Sequence, residues 1–136
     1  MRHFVVAFAL LALPALADPP TANFGTPLSA GEFDGYATGK TLTYASGGTV
    51  WGSEQYLPGH RVLWAFTGQP CESGQWFAQN DAICFVYENN PGPNCWHFYH
   101  GPAGLIAAFI GQGGNVLSEV GQSAVPMQCP GPDVGT

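Results

Sequence analysis

Hydrophobic and polar residues alternate along most of the chain between residues 40 and 121. Successive side chains of a β-strand point to opposite faces, so this period of two predicts half-buried strands. Glycine, proline or Asn-Asp pairs interrupt the alternation at short intervals, as is typical of tight turns. The pattern therefore predicts eight strands, near residues 40–46, 49–57, 61–67, 71–78, 82–88, 94–100, 104–110 and 115–121.

Short strands that follow one another in this way predict an antiparallel up-and-down meander. An open meander would expose unpaired backbone groups at its edges, so closure into a small barrel, or a strongly curved half-barrel, is favoured over a sandwich. Bulky rings recur on one face of the third, fifth and sixth predicted strands, and this face is expected to be the interior. The predicted fold class is mainly β, with one short N-terminal helix.

The helix is predicted from Ala30 to about Thr38, because Ser29 and Glu32 have the spacing of a capping box. Its buried face is expected to carry Phe33, Tyr36 and Ala37. The segment 105–110 is apolar on both faces, which suits a strand whose outer side is covered. The helix is the expected cover.

The first residues resemble a secretory signal, with Arg2, an apolar run from Phe4 to Leu13 and an Ala-x-Ala site ending at Ala17. An apolar run of this length falls short of the roughly 20 residues that span a membrane. We predict a signal peptide at 1–17, a flexible leader at 18–28, a helix plus barrel domain at 29–121 and an irregular tail at 122–136. The expected location is periplasmic or secreted, without membrane attachment after cleavage.

The charge balance excludes several classes of partner. Beyond residue 17 the chain has two cations, Lys40 and Arg61, against all nine acids. Nucleic acids and anionic lipid surfaces require clustered basic residues, so neither is expected as a partner. The run Gly39-Lys40-Thr41 ends like a phosphate-binding loop. It follows a predicted helix and opens a strand, the reverse of that motif, so no nucleotide or other cofactor is expected.

Four cysteines, Cys71, Cys84, Cys95 and Cys129, follow the signal. An even number in an exported chain predicts two disulfides, with three possible connectivities, and Cys129 would tie the tail to the barrel. Cys95, His97 and His100 offer an alternative metal site. On a strand His100 would face away from the other two, so no metal site is predicted.

Seven residues are the predicted ligand-binding group: Glu54, Arg61, Trp51, Trp64, Trp76, Tyr87 and Trp96. Tryptophan rings can line a pocket or fill a small barrel. Glu54 or Glu88 could point into the barrel and pair with Arg61 or Lys40, and such a pair would orient a ligand or fix the fold. Hydrolysis needs two inward carboxylates, and no catalytic motif supports it, so no catalytic residue is assigned.

The chain resembles a family of short exported proteobacterial proteins that form a domain of unknown function. The resemblance rests on Thr38–Leu42, Trp51–Leu57, Arg61–Phe66, Cys71–Trp76, Ile83–Glu88 and Cys95–Trp96. It implies a periplasmic β-rich domain with paired cysteines, and no substrate or catalytic residue. The predicted topology also resembles lipocalin and avidin-like barrels, by fold analogy alone.

Three functions are compatible with these features. The first is a non-enzymatic binding protein, for a small apolar or amphipathic molecule or a periplasmic protein partner at the open end of the barrel. The second is an acidic interaction or inhibitor module with a solid core. The third is a hydrolase that uses Glu54 or Glu88. The first is expected.

Overall fold

The computed structural model describes residues 23–129 of the 136-residue chain. The predicted signal peptide, residues 18–22 of the predicted leader and the last seven residues lie outside this range. The elements are α1 (Ala30–Ala37), β1 (Thr41–Ser46), β2 (Thr49–Leu57), β3 (Arg61–Phe66), β4 (Glu72–Gln79), β5 (Ala82–Tyr87), β6 (Asn94–Gly101), β7 (Gly104–Phe109) and β8 (Val116–Ser123).

The eight strands form a closed antiparallel barrel in which each strand pairs with its neighbours in sequence and β8 pairs with β1. The predicted mainly β meander is confirmed. Of the two predicted forms, the closed barrel is present and the half-barrel is not. All eight strands agree with the predicted ranges to within two residues at either end. The rings of Trp64, Phe85 and Phe98, on the third, fifth and sixth strands, point into the barrel, as the alternation predicts.

Helix α1 begins with the predicted capping box. The Ser29 backbone N–H donates to the Glu32 carboxylate at 2.8 Å, and the Glu32 N–H donates to the Ser29 hydroxyl at 3.2 Å. These bonds satisfy two amide groups that a helix start leaves free, so the local sequence is sufficient to start the helix there.

The helix closes one end of the barrel instead of covering the outside of β7. The Phe33 side chain is fully buried, with its ring centroid 4.5–6.4 Å from four interior rings, those of Tyr56, Trp76, Phe85 and Phe98. The expectation that α1 covers segment 105–110 is therefore wrong, and Ile110 remains 42% exposed. An amphipathic face shows that one side is buried, but not which surface buries it.

A second contact holds α1 in place. The Glu119 carboxylate, on β8, is 3% exposed and accepts hydrogen bonds from the Tyr36 hydroxyl at 2.8 Å and the Leu105 backbone N–H at 2.7 Å. Gln122 donates a further bond at 2.9 Å. A buried carboxylate with several donors is stabilised without a cation. Leu28, just before α1, is also buried and donates its N–H to the Phe98 carbonyl.

The two ends of the barrel differ. Residues 58–60, 80–81 and 102–103 connect strands at the end that α1 closes, and residues 47–48, 67–71, 88–93 and 110–115 connect them at the other end. No comparable element covers this second end among the residues described, and we call it the open end.

Both predicted disulfides are present, and the structure shows their connectivity. Cys84 and Cys95 are paired across β5 and β6, and Cys71 binds Cys129 across 58 positions of sequence, which ties the tail to the barrel as expected. Two disulfides indicate an oxidising, extracellular-type environment. Within residues 23–129 no helix is long and apolar enough to cross a membrane.

Candidate functional site

A cavity of about 250 Å³ lies inside the barrel and leads to the open end. Its deeper part is lined by buried residues, among them Tyr44, Tyr56 and Phe98. Its mouth lies between the ends of strands, where Phe66 is 49% exposed. The ring of Phe33 fills the barrel at the closed end, so the empty volume remains only toward the open end.

Tryptophan side chains form much of the wall. Trp51, Trp64 and Trp96 all line the cavity. The Trp64 ring packs edge-on against Phe66 with centroids 5.2 Å apart, and Trp96 packs against Phe109 at 5.0 Å. These contacts fix the rings in place, and this part of the wall is rigid and apolar.

Two glycines, which have no side chain, make room for residues of the cavity wall. A Cβ atom at Gly52 would lie 2.9 Å from the Trp64 ring, and one at Gly74 would lie 2.6 Å from the Tyr87 ring. Both distances are too short for a real side chain, and each Cβ atom would come still closer to a backbone carbonyl oxygen of the neighbouring strand, that of Ala65 or Val86. Glycine at these two positions therefore allows the close approach of the neighbouring strands as well as the placement of Trp64 and Tyr87 in the wall.

The carboxyl group of Glu54 lies in the cavity wall and is 5% exposed. The Tyr87 hydroxyl donates to its Oε1 at 2.7 Å, and the Tyr56 hydroxyl makes a longer contact of 3.4 Å with its Oε2. Tyr44 and Tyr56 share a hydrogen bond at 2.9 Å. Three tyrosines and one glutamate thus form a connected polar network in an otherwise aromatic interior.

Burial changes the protonation of this network. Desolvation raises the pKa of Glu54 to about 8, although the hydrogen bonds from Tyr87 and Tyr56 oppose the shift. Burial also raises the pKa values of Tyr44, Tyr56 and Tyr87 above that of a free tyrosine. At neutral pH, Glu54 is therefore a neutral carboxylic acid that can both donate and accept a hydrogen bond.

A second carboxylate, that of Glu72, also lines the cavity. Glu54 is the register partner of Trp64, and Trp64 is the partner of Glu72, so the three residues form one row across β2, β3 and β4. Their backbones span about 10 Å, which is twice the spacing of neighbouring strands. In the backbone register, Trp64 therefore lies between the two acidic residues.

Neutral polar groups lie near the mouth. Asn90, Asn94 and Asn115 line the cavity and belong to the open end, in or beside the connections β5–β6 and β7–β8. An asparagine amide both donates and accepts hydrogen bonds. These side chains can contact the polar part of a ligand at the opening.

Five of the seven predicted ligand-binding residues line the cavity: Glu54, Trp51, Trp64, Tyr87 and Trp96. The structure places the other two elsewhere. Arg61 lies on the outer face of β3, where its Nε donates to the Pro58 carbonyl, because it alternates with the inward Val62. Trp76 points inward but lies at the closed end, between Phe33 and a stacked His60 ring at 3.6 Å.

The predicted internal ion pair is wrong. Across residues 23–129 the only salt-bridge-type contact joins His97 Nε2 to Asp81 Oδ1 at 3.2 Å, so neither Arg61 nor Lys40 pairs with Glu54 or Glu88. Glu88 follows the end of β5 and is exposed, so it does not point into the barrel. Cys95 is bonded to Cys84, and the described residues hold no group of three metal-binding side chains.

Sequence reasoning did not include Glu72 among the candidate site residues. The signal was present, because Glu72 is in phase with Gly74 and Trp76 on β4 and therefore shares their inward face. It also missed the buried Glu119, which is in phase with Leu117 on β8 and therefore shares its inward face. No protein-family model matches the chain, and comparisons with curated proteins and with solved structures likewise return no match.

Proposed function

We propose that this protein is a non-enzymatic binding protein of the periplasm or the secreted fraction, which holds a small amphipathic molecule in its barrel. The observation that carries the proposal is the cavity of about 250 Å³ at the open end, with aromatic walls and a few polar groups. This combination is typical of small-molecule sites. An apolar cavity of about 150 Å³ holds benzene, so this one suits a ligand with one or two small rings.

The cavity supports a binding protein over the solid-core interaction module, because that alternative needs a filled interior. The charges also favour binding in the interior. Glu54 and Glu72 line the cavity instead of the outer face, so these two acids do not contribute to an acidic docking surface.

Hydrolysis is the second candidate function, and one observation favours it. Glu54 has a raised pKa, as a general acid needs, and Glu72 provides a second carboxyl group in the same cavity. Turnover of an aryl ester or glycoside that stops in Glu54→Gln would favour this alternative. We rank it second because the aromatic walls explain binding without any further group.

Filling the cavity is expected to abolish binding. Ala107 lines the cavity, whereas its neighbour Ala108 lies on the opposite face of β7. Ala107→Leu adds three carbon atoms to the wall, and we expect it to weaken binding of neutral 1-aminonaphthalene at least about tenfold. Ala108→Leu makes the same change outside and should bind as the parent does. The probe's fluorescence measures both affinities.

Each variant's free energy of unfolding, from urea titration, shows whether the protein is folded at the binding temperature. Equal probe affinity in both variants and the parent would contradict the proposal, because the probe would then bind outside the cavity. Lack of probe binding to the parent protein would contradict it as well.

A further inference from the structure

The cavity is acidic. Glu54 and Glu72 line it, and no lysine, arginine or histidine of residues 23–129 does so. The Lys40 ammonium lies 4.1 Å from the centre of the Tyr36 ring, on the helix that closes the other end, and Arg61 lies on the outer face. An ionised carboxyl group in a low-dielectric cleft attracts cations and repels anions, and a bound cation favours the ionised form of Glu54 over its neutral form. The lining therefore disfavours an anionic ligand.

The aromatic rings of the cavity wall also favour a cationic ligand. The π-electrons of an indole ring attract a cation placed within about 6 Å of its centre. Trp64 stands between Glu54 and Glu72 in the row across β2, β3 and β4. A cation over the Trp64 ring would thus have an acidic side chain on each side, and the remaining tryptophans would contact the apolar part of the same molecule.

One oxygen of Glu54 retains bonding capacity. Oε1 accepts the short bond from Tyr87 at 2.7 Å, whereas Oε2 receives only the long contact of 3.4 Å from Tyr56 among the groups described. A contact of that length is weak. An N–H donor in the cavity can therefore bond to Oε2 without displacing a strong bond.

Building on the proposed binding function, we propose that the ligand is a small organic ammonium ion with an aromatic or aliphatic body. The ammonium group lies over Trp64 between Glu54 and Glu72, and the body packs against Trp51 and Trp96. This assignment names the chemical class of the ligand, which the proposed function leaves open.

Three compounds of nearly equal size test the charge. The cation 2-phenylethylamine, neutral 2-phenylethanol and the anion phenylacetate are each titrated at pH 7 against protein carrying 1-aminonaphthalene. The amine is expected to displace the probe at least about tenfold more tightly than the alcohol. Phenylacetate should not displace it. Glu72→Gln is expected to weaken the amine and leave the alcohol unchanged, because the substitution removes charge with little change of shape.

The pH dependence provides a second test. The titratable groups that face Glu54 are Tyr44 from β1, Tyr56 from β2, Glu72 from β4 and Tyr87 from β5. The quaternary probe phenyltrimethylammonium keeps its charge at all pH values. Because a cation favours the ionised form of Glu54, its affinity should rise about tenfold or more between pH 6.5 and pH 8.5. Glu54→Gln should remove this rise.

Equal affinity for amine and alcohol would overturn the inference, as would tighter binding of phenylacetate or an affinity for the quaternary probe that falls with pH. These results leave the proposed function intact, because a ligand still occupies the cavity. The proposed function, in contrast, fails if 1-aminonaphthalene binds equally well after Ala107→Leu or does not bind at all.

Discussion

Replacing Phe33 with alanine is expected to lower the free energy of unfolding by about 3 to 5 kcal/mol. The side chain is fully buried, and its ring contacts rings from β2, β4, β5 and β6. Alanine removes these contacts and leaves a void that rigid neighbouring rings cannot fill, because aromatic side chains collapse poorly into empty space. Urea unfolding, followed by tryptophan fluorescence, measures the loss.

Phe77→Ala is the matched control. It removes the same group from β4, but Phe77 is 39% exposed and points away from the barrel interior. We expect a loss of less than about 1 kcal/mol there. Similar losses in both variants would mean that Phe33 does not close the barrel, and the assignment of a closed end and an open end would be wrong.

Raising the pH from 5 to 9 is expected to destabilise the protein by about 4 kcal/mol through Glu54 alone. The folded protein keeps this group protonated up to about pH 8, whereas the group's ordinary pKa is 4.5. Between these values the folded state binds more protons than the unfolded chain, so increasing pH favours unfolding. The contribution is complete below pH 4.5 and is lost as pH rises through 8.

Glu54→Gln isolates this contribution, because glutamine has the same shape, does not titrate and can accept the bond from Tyr87. Urea unfolding of both proteins at pH 5, 7 and 9 gives the difference, in which all other titrating groups cancel. The variant should become the more stable protein at pH 9. Parallel profiles would show that Glu54 titrates as in the unfolded chain and is not buried in the cavity wall.

The strand pattern was predictable because it depends on local rules. Alternation determines which side chains share a face, and glycine or proline signals mark where each strand ends. Cys71 and Cys129 illustrate the limit. The even number of cysteines predicts two bonds, but their pairing depends on which strands the fold brings together, and these two lie 58 positions apart.

The sequence pattern predicts which side chains point into the barrel, but not whether each lies near the open end or the closed end. Trp64 and Trp76 both occupy inward positions, yet one lines the cavity and the other packs against the helix. Which end of the barrel α1 closes depends on contacts between distant segments, and no local pattern reports it. The outward position of Arg61 could have been predicted, since Arg61 precedes the inward Val62 on β3 and therefore faces outward.

The indole N–H resonances of the four tryptophans test the cavity most directly. Trp51, Trp64 and Trp96 line it, whereas Trp76 lies at the closed end with its Nε1 buried, which makes it an internal reference. A set of small aromatic amines, alcohols and acids is titrated into ¹⁵N-labelled protein. Compounds that bind should shift the three cavity indoles and leave Trp76 in place. Shifts centred on Trp76, or no shift of any cavity indole across the set, would contradict a ligand-binding cavity at the open end.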